Sequence, residues 1–295
     1  MPACITHHVF AKDTLQKLDS LDINPKDIDE NAYFWGAQGP DFFFCHKYFH
    51  AVLNKELRSV QEYGSALHRT SPALTLQAMQ RFVQKRRDLS YLSYVLGFIC
   101  HYSLDSTAHP YVNCLAQRLA DQRPAENASA MHGEVESSLD AIVLRWKTGL
   151  LPSALSLGHM FPKNQGVQRK IACLYREVLF CVYGEDVSEE DIYKATKDAR
   201  FVFKTLTDRT GLKRGLFNRL ERGRVHYVTS HIVPITEDAD VDFANTAHAP
   251  WQTGGGESKK DFFQLYQEAE DLALRLAGWL ADGKDFSELT DLKSF

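Results

Sequence analysis

The chain has 295 residues, 44% apolar and 24% charged, with a formal net charge of −4, the profile of a globular protein long enough for a substantial core. An acidic balance argues against a nucleic-acid partner, because such proteins carry a basic excess. No run reaches the length of a membrane span, and the opening Met-Pro-Ala-Cys-Ile-Thr-His-His has neither a basic nor an apolar leader region. The expectation is a cytoplasmic protein whose six scattered cysteines stay reduced.

Helical periodicity runs over residues 6–18, 74–83, 91–108, 131–148, 168–183, 189–206 and 262–280, and strand signals are sparse. The expected architecture is all-α, a single multi-helix domain. Residues 1–150 carry the candidate ligands, 151–230 supply supporting helices, 231–260 form a long loop and 261–282 a C-terminal helix. Turn chemistry punctuates the chain at Asn24-Pro25, Gly36 to Pro40, Ser71-Pro72 and Gly149 to Pro152. Pro110 disfavours helical geometry at His109, so that helix is expected to end there. The basic run Lys213, Arg214, Arg219, Arg222 and Arg224 reads as a solvated helix face. Residues 231–260 read as an ordered belt anchored by Phe243 and Trp251, with a flexible glycine tip at 254–256.

The chemistry concentrates in residues 91–136. Residues 91–101 are apolar on nearly every side, which marks a helix buried all round. At the end of that stretch His101, Asp105 and His109 follow at four-residue steps and fan across roughly 80° of one helix surface. A second pair, His132 and Glu136, projects at roughly 60° and 100° from Val135, on the edge of the apolar stripe Val135, Leu139, Ile142, Val143 and Trp146. Spacing alone decides little, since with 12 histidines and 38 acids chance supplies roughly 1.5 such pairs against the two present. Context decides more: imidazoles and carboxylates in apolar helices need strong partners. A bound cation answers that need, and so does mutual hydrogen bonding between two buried helices.

Several separated fragments then occur in one order: Thr6-His7-His8-Val9-Phe10, Gly39-Pro40-Asp41, Ala66-Leu67-His68, Gly97-Phe98-Ile99-Cys100-His101 through Asp105, His109-Pro110, and His132 with Glu136. Together they resemble the zinc-dependent phospholipase C family, related in fold to the fungal single-strand nucleases with an all-helical trinuclear zinc site. The resemblance covers roughly the first 150 residues. It implies Asp41, His68, His101 and Asp105 as ligands of one zinc, and His109, His132 and Glu136 as ligands of a second with a position left for water or substrate. It also implies a third zinc that shares Asp105 and takes a histidine of the 7–8 pair, for which His8 is preferred because Val9-Phe10 follow it. In the secreted members an amino terminus exposed by leader cleavage also holds that third zinc.

Two departures stand out. The interval from Asp105 to His109 is shorter than in the bacterial phospholipases and that from His109 to His132 longer, so the loop 111–131 is expected to reshape the pocket mouth. The implied function is phosphoester hydrolysis by a metal-activated hydroxide, with Asp41 and Asp105 as the catalytic carboxylates, two or three Zn2+ ions, and a phosphoester substrate, phospholipid among the candidates. A non-catalytic metal-stabilised scaffold, or a binding protein for a phosphorylated partner, is the alternative. Phe42-Phe43-Phe44 with Tyr48 and Phe49 reads as core filling in preference to an apolar landing surface. His46 and His50 read as a polar face beside those rings.

Overall fold

The computed structural model describes residues 4–48, 60–238, 240–289 and 292–293. Helices dominate them: α1 (Cys4–Lys17), α2 (Glu30–Gly36), α3 (Glu62–Arg69), α4 (Pro72–Arg86), α5 (Leu89–Gln122), α6 (Ala128–Thr148), α7 (Gln165–Tyr183), α8 (Glu189–Leu206), α9 (Leu212–Leu220) and α10 (Phe262–Ala281). The fold is all-α, as expected. Among the described residues no helix is long and apolar enough to cross a membrane.

The central rod is α5, 34 residues and therefore about 50 Å long. The Asp88 side chain starts it by accepting from Ser90 N at 2.9 Å, and Lys170 on α7 holds that carboxylate at 2.7 Å. Packing of α2, α6 and α10 around it explains why its apolar residues point in every direction.

The rod does not stop at His109. It continues to Gln122 with Pro110 inside, contrary to the sequence expectation. Pro110 deprives the Ser106 carbonyl of its helical donor, at a cost of about 3 kcal/mol. Beyond it, Tyr111, Val112, Leu115 and Leu119 are all buried, and each large apolar side chain returns roughly 1.5–3 kcal/mol. The stripe outweighs the proline, and most of the expected loop 111–131 is helix.

Two glycines set how closely α2 lies on α5. A Cβ at Gly36 would stand 2.0 Å from the Tyr94 carbonyl oxygen, and one at Gly97 would stand 2.0 Å from that of Tyr33. The short α2, capped by Asp29 through Asn31 N and Ala32 N, can therefore press its backbone onto the rod and deliver the turn Gly39-Pro40-Asp41 beside His101. At Gly39, φ is +53° and a Cβ would meet His101 Cδ2 at 2.1 Å, so both the left-handed backbone and the space demand glycine.

The start of α1 is held by a residue of another helix. Asp140 on α6 accepts from Ile5 N at 3.1 Å, Thr6 N at 2.7 Å and Thr6 Oγ1 at 2.7 Å. These donors include amides that α1 cannot satisfy internally. Burial raises the Asp140 pKa to about 7, although its three hydrogen bonds pull the other way.

The described residues of the 231–260 segment pack through the two expected anchors. Tyr111 Oη donates to the Phe243 carbonyl at 2.8 Å, and the Tyr111 ring lies 5.3 Å from that of Trp251. Trp251–Thr253 (β1) and Gly256–Ser258 (β2) pair antiparallel, with Trp251 opposite Ser258, so the glycines form a hairpin turn where a flexible tip was expected. The turn is tied by Thr253 Oγ1 donating to Gly256 O at 2.9 Å.

Candidate metal centre

Four helices and one turn bring eight side chains to one interior point, His7 of α1 among them. From α5 come His101, Asp105 and His109 on successive turns, from α6 His132 and Glu136, from α3 His68, and from the turn after α2 Asp41. Asp105 is the hub. Its Oδ1 lies 3.1 Å from His7 Nε2 and 3.6 Å from His109 Nε2, and its Oδ2 lies 3.3 Å from His101 Nε2 and 3.6 Å from His68 Nε2. Asp41 Oδ1 is 3.1 Å from His68 Nε2, and Asp41 Oδ2 is 3.8 Å from His101 Nδ1. Glu136 Oε1 joins His132 Nε2 at 3.0 Å and His109 Nε2 at 3.5 Å.

Outer partners turn two of the imidazoles inward. His68 Nδ1 donates to the Gly64 carbonyl at 2.7 Å, which leaves Nε2 facing the carboxylates. His132 Nδ1 contacts Asn113 Oδ1 at 2.9 Å. Asn113 comes from the part of α5 beyond Pro110, so the helical continuation holds that ring from behind. Asp41, Phe44, His68, Asp105, His109, His132 and Glu136 line a cavity of about 140 Å³.

Electrostatics follow from burial set against proximity. Burial alone would favour neutral groups. For His68 the facing carboxylates Asp41 and Asp105 outweigh burial and lift the pKa to about 10. For His101 burial wins and the pKa falls to about 4. Burial opposes ionisation of Asp105, but His109, His101, His7 and His68 around it drive its pKa well below the carboxylate norm. Glu136 behaves likewise beside His132 and His109.

The 7–8 pair resolves differently from the expectation. His7 is buried and reaches Asp105, whereas His8 stacks on Phe34 with ring centroids 4.3 Å apart and takes no place in the cluster. The reason is helical register. Phe10, Ala11 and Thr14, which share a face with His7, are all buried, while Lys12, one turn beyond His8, is not. Asp140 was also missed, although its spacing from Glu136 repeats that from His132 to Glu136, and its bonds to Ile5 and Thr6 aim His7.

Among the remaining predicted residues, Phe42 and Phe43 are buried, stacked 4.3 Å apart and packed on Tyr175. Phe44 alone of that run lines the cavity. His46 pairs with Asp198 at 3.0 Å, away from the cluster. Phe49 and His50 lie outside the described residues.

The donor set suits divalent cations. His7, Asp41, His101 and Asp105 form one group whose possible ligand atoms lie within 4.8 Å of one another, and His109, His132 and Glu136 form another. Among the described residues, His7 Nδ1, Asp41 Oδ2 and Glu136 Oε2 are buried without a hydrogen-bond partner, and each such atom costs roughly 1–3 kcal/mol unless something satisfies it. Imidazole nitrogen and carboxylate oxygen are ligands that zinc takes.

The family model for zinc-dependent phospholipase C matches residues 6–176, more than half of the chain and all of the cluster. The chain belongs to the zinc-dependent phospholipase C family. The match runs past Glu136 and into α7. No curated protein and no solved structure matches the chain.

The register of the 7–8 pair makes a direct prediction. His8→Ala should retain the metal content of the unaltered protein, while His7→Ala should lose part of it, both read by elemental analysis after gel filtration. Equal metal loss in both variants would contradict the register.

Proposed function

We propose that this protein is a metal-dependent phosphoester hydrolase of phospholipase C type, with His7, Asp41, His68, His101, Asp105, His109, His132 and Glu136 holding zinc. The observation that carries the reading is the convergence of five imidazoles and three carboxylates around one small cavity in a chain of that family. Bound there, zinc supplies Lewis acidity and lowers the pKa of water from ~15.7 toward ~7.

The protein's own groups then have separable tasks. Asp105, placed between the two groups of ligands, ties them electrostatically. Asp41 presents Oδ2, which accepts no hydrogen bond among the described residues, as the acceptor for a proton leaving an attacking water. His109, His132 and Glu136 supply three donors on the mouth side and leave room for a substrate oxygen. Phe44, with its ring 5.7 Å from that of His68, gives the cavity an apolar edge. A space of about 140 Å³ accepts a phosphate group and its ester oxygens, so acyl chains of a lipid substrate would remain outside it.

Purified protein should contain zinc and cleave at least one of a chromogenic phosphodiester, a phosphomonoester or phosphatidylcholine, with activity lost to a chelator. Glu136→Gln should lower both metal content and turnover. A metal-loaded protein inert on all three substrates would overturn the hydrolase reading and favour a metal-stabilised scaffold.

A further inference from the structure

Remote from the histidine clusters, α8 presents Lys197, Arg200, Phe201 and Lys204 at steps of three, one and three residues, which places them on one helix face. Opposite lies the connection between α6 and α7, with the short turn Leu157–His159 followed by Lys163. The two enclose a hollow of about 400 Å³. Its described lining holds Lys163, Lys197, Arg200, Lys204 and His159, and among the described residues no carboxylate.

The hollow is built rather than incidental. A Cβ at Gly158 would lie 3.2 Å from Lys204 Cβ, so the turn packs its backbone directly onto α8. Arg200 is oriented by Nε donating to the Phe161 carbonyl at 2.9 Å, and Lys197 Nζ stands 4.9 Å from the Tyr193 ring centre. Asp198, the acid between them in sequence, is turned away to His46 Nδ1 at 3.0 Å and Lys47 N at 3.1 Å. Four permanent cations therefore share one concave space in a protein whose net charge is −4. Their mutual repulsion is relieved by a ligand that brings several negative charges at once. Exposed Phe201, 62% accessible, stands at the rim.

We infer that this hollow is a second ligand site, selective for a polyphosphorylated anion. Clustered phosphate oxygens match the lysine ammonium groups and the fixed guanidinium. A soluble polyphosphate and the headgroup of a polyphosphorylated lipid offer the same chemistry. None of its lining residues belongs to the histidine cavity, so the inference stands apart from the hydrolase reading.

Calorimetric titration of the metal-loaded protein with sodium tripolyphosphate tests it. Binding should weaken by about tenfold or more in Lys197→Glu/Lys204→Glu, fall as salt is raised, and persist in Glu136→Gln. The two lysines are exposed, so the double variant should melt like the unaltered protein; Lys163→Gln/Lys204→Gln gives a milder second test of the same loss. Co-sedimentation with phosphatidylcholine vesicles, with and without phosphatidylinositol bisphosphate, separates the sources: binding confined to the bisphosphate vesicles assigns a lipid headgroup, and binding of tripolyphosphate alone assigns a soluble ligand. Failure of both probes to bind, affinity unchanged in the lysine variants, or loss of binding in Glu136→Gln would overturn the inference.

Discussion

Asp105→Asn should abolish hydrolysis and release metal. The carboxylate faces four imidazoles at 3.1–3.6 Å, and an amide keeps its shape while removing the charge that unites them. Loss of an outer-shell partner costs a metal site ~10–100-fold in affinity or activity; loss of a shared inner ligand should exceed that, with turnover down by at least ~10³-fold. Metal content, circular dichroism and turnover measured on one preparation would check it. Wild-type metal content with wild-type turnover would remove Asp105 from the machinery, whereas loss of metal with the helical spectrum kept would fit the proposed role.

Gly97→Ala should strongly destabilise the fold. The added methyl would stand 2.0 Å from the Tyr33 carbonyl oxygen and 2.9 Å from Ala37 N, atoms of α2 and the residue just after it that cannot turn aside as a side chain can. Forcing the helices apart should cost about 3 kcal/mol or more, and it should also shift Asp41, carried by the turn that follows α2, and so weaken metal retention. Gly215→Ala supplies the opposite result: its Cβ meets nothing within 4 Å on exposed α9, where alanine is favoured over glycine by about 1 kcal/mol. Thermal melting of both variants separates the two cases, and equal stability of the Gly97 variant and the unaltered protein would contradict the close contact described.

The all-α class and the histidine-bearing helix were legible because burial on every side leaves a run of apolar residues that no surface helix shows. His101, Asp105 and His109 were legible for a related reason: one helix carries all three, and sequence spacing maps directly onto its surface. Asp41 and His68 had no such support. A turn and a short helix place them, and only their order along the chain connected them to the rest. At the 7–8 pair the apolar Val9-Phe10 that follow point to His8, but the buried face with Phe10 and Thr14 belongs to His7. Pro110 misled because a local backbone rule was applied without the stripe beyond it, and α2, α3 and α9 were too short to show a period. The basic face of α8 went unread because its partner residues lie some forty positions earlier, on a connection that follows α6.

The passage of α5 through Pro110 has a mechanical consequence. His101, Asp105 and His109 are stations on one continuous shaft, with a rise of about 6 Å from each to the next. The axial gauge between the inner and outer ligand groups is thereby set by the rod that carries a member of each. On the proposed function, a substrate spanning both would have to match that gauge as it arrives. On that same reading, adaptation to different substrates would fall to the rim, where Phe44 lines the cavity without being one of the proposed ligands.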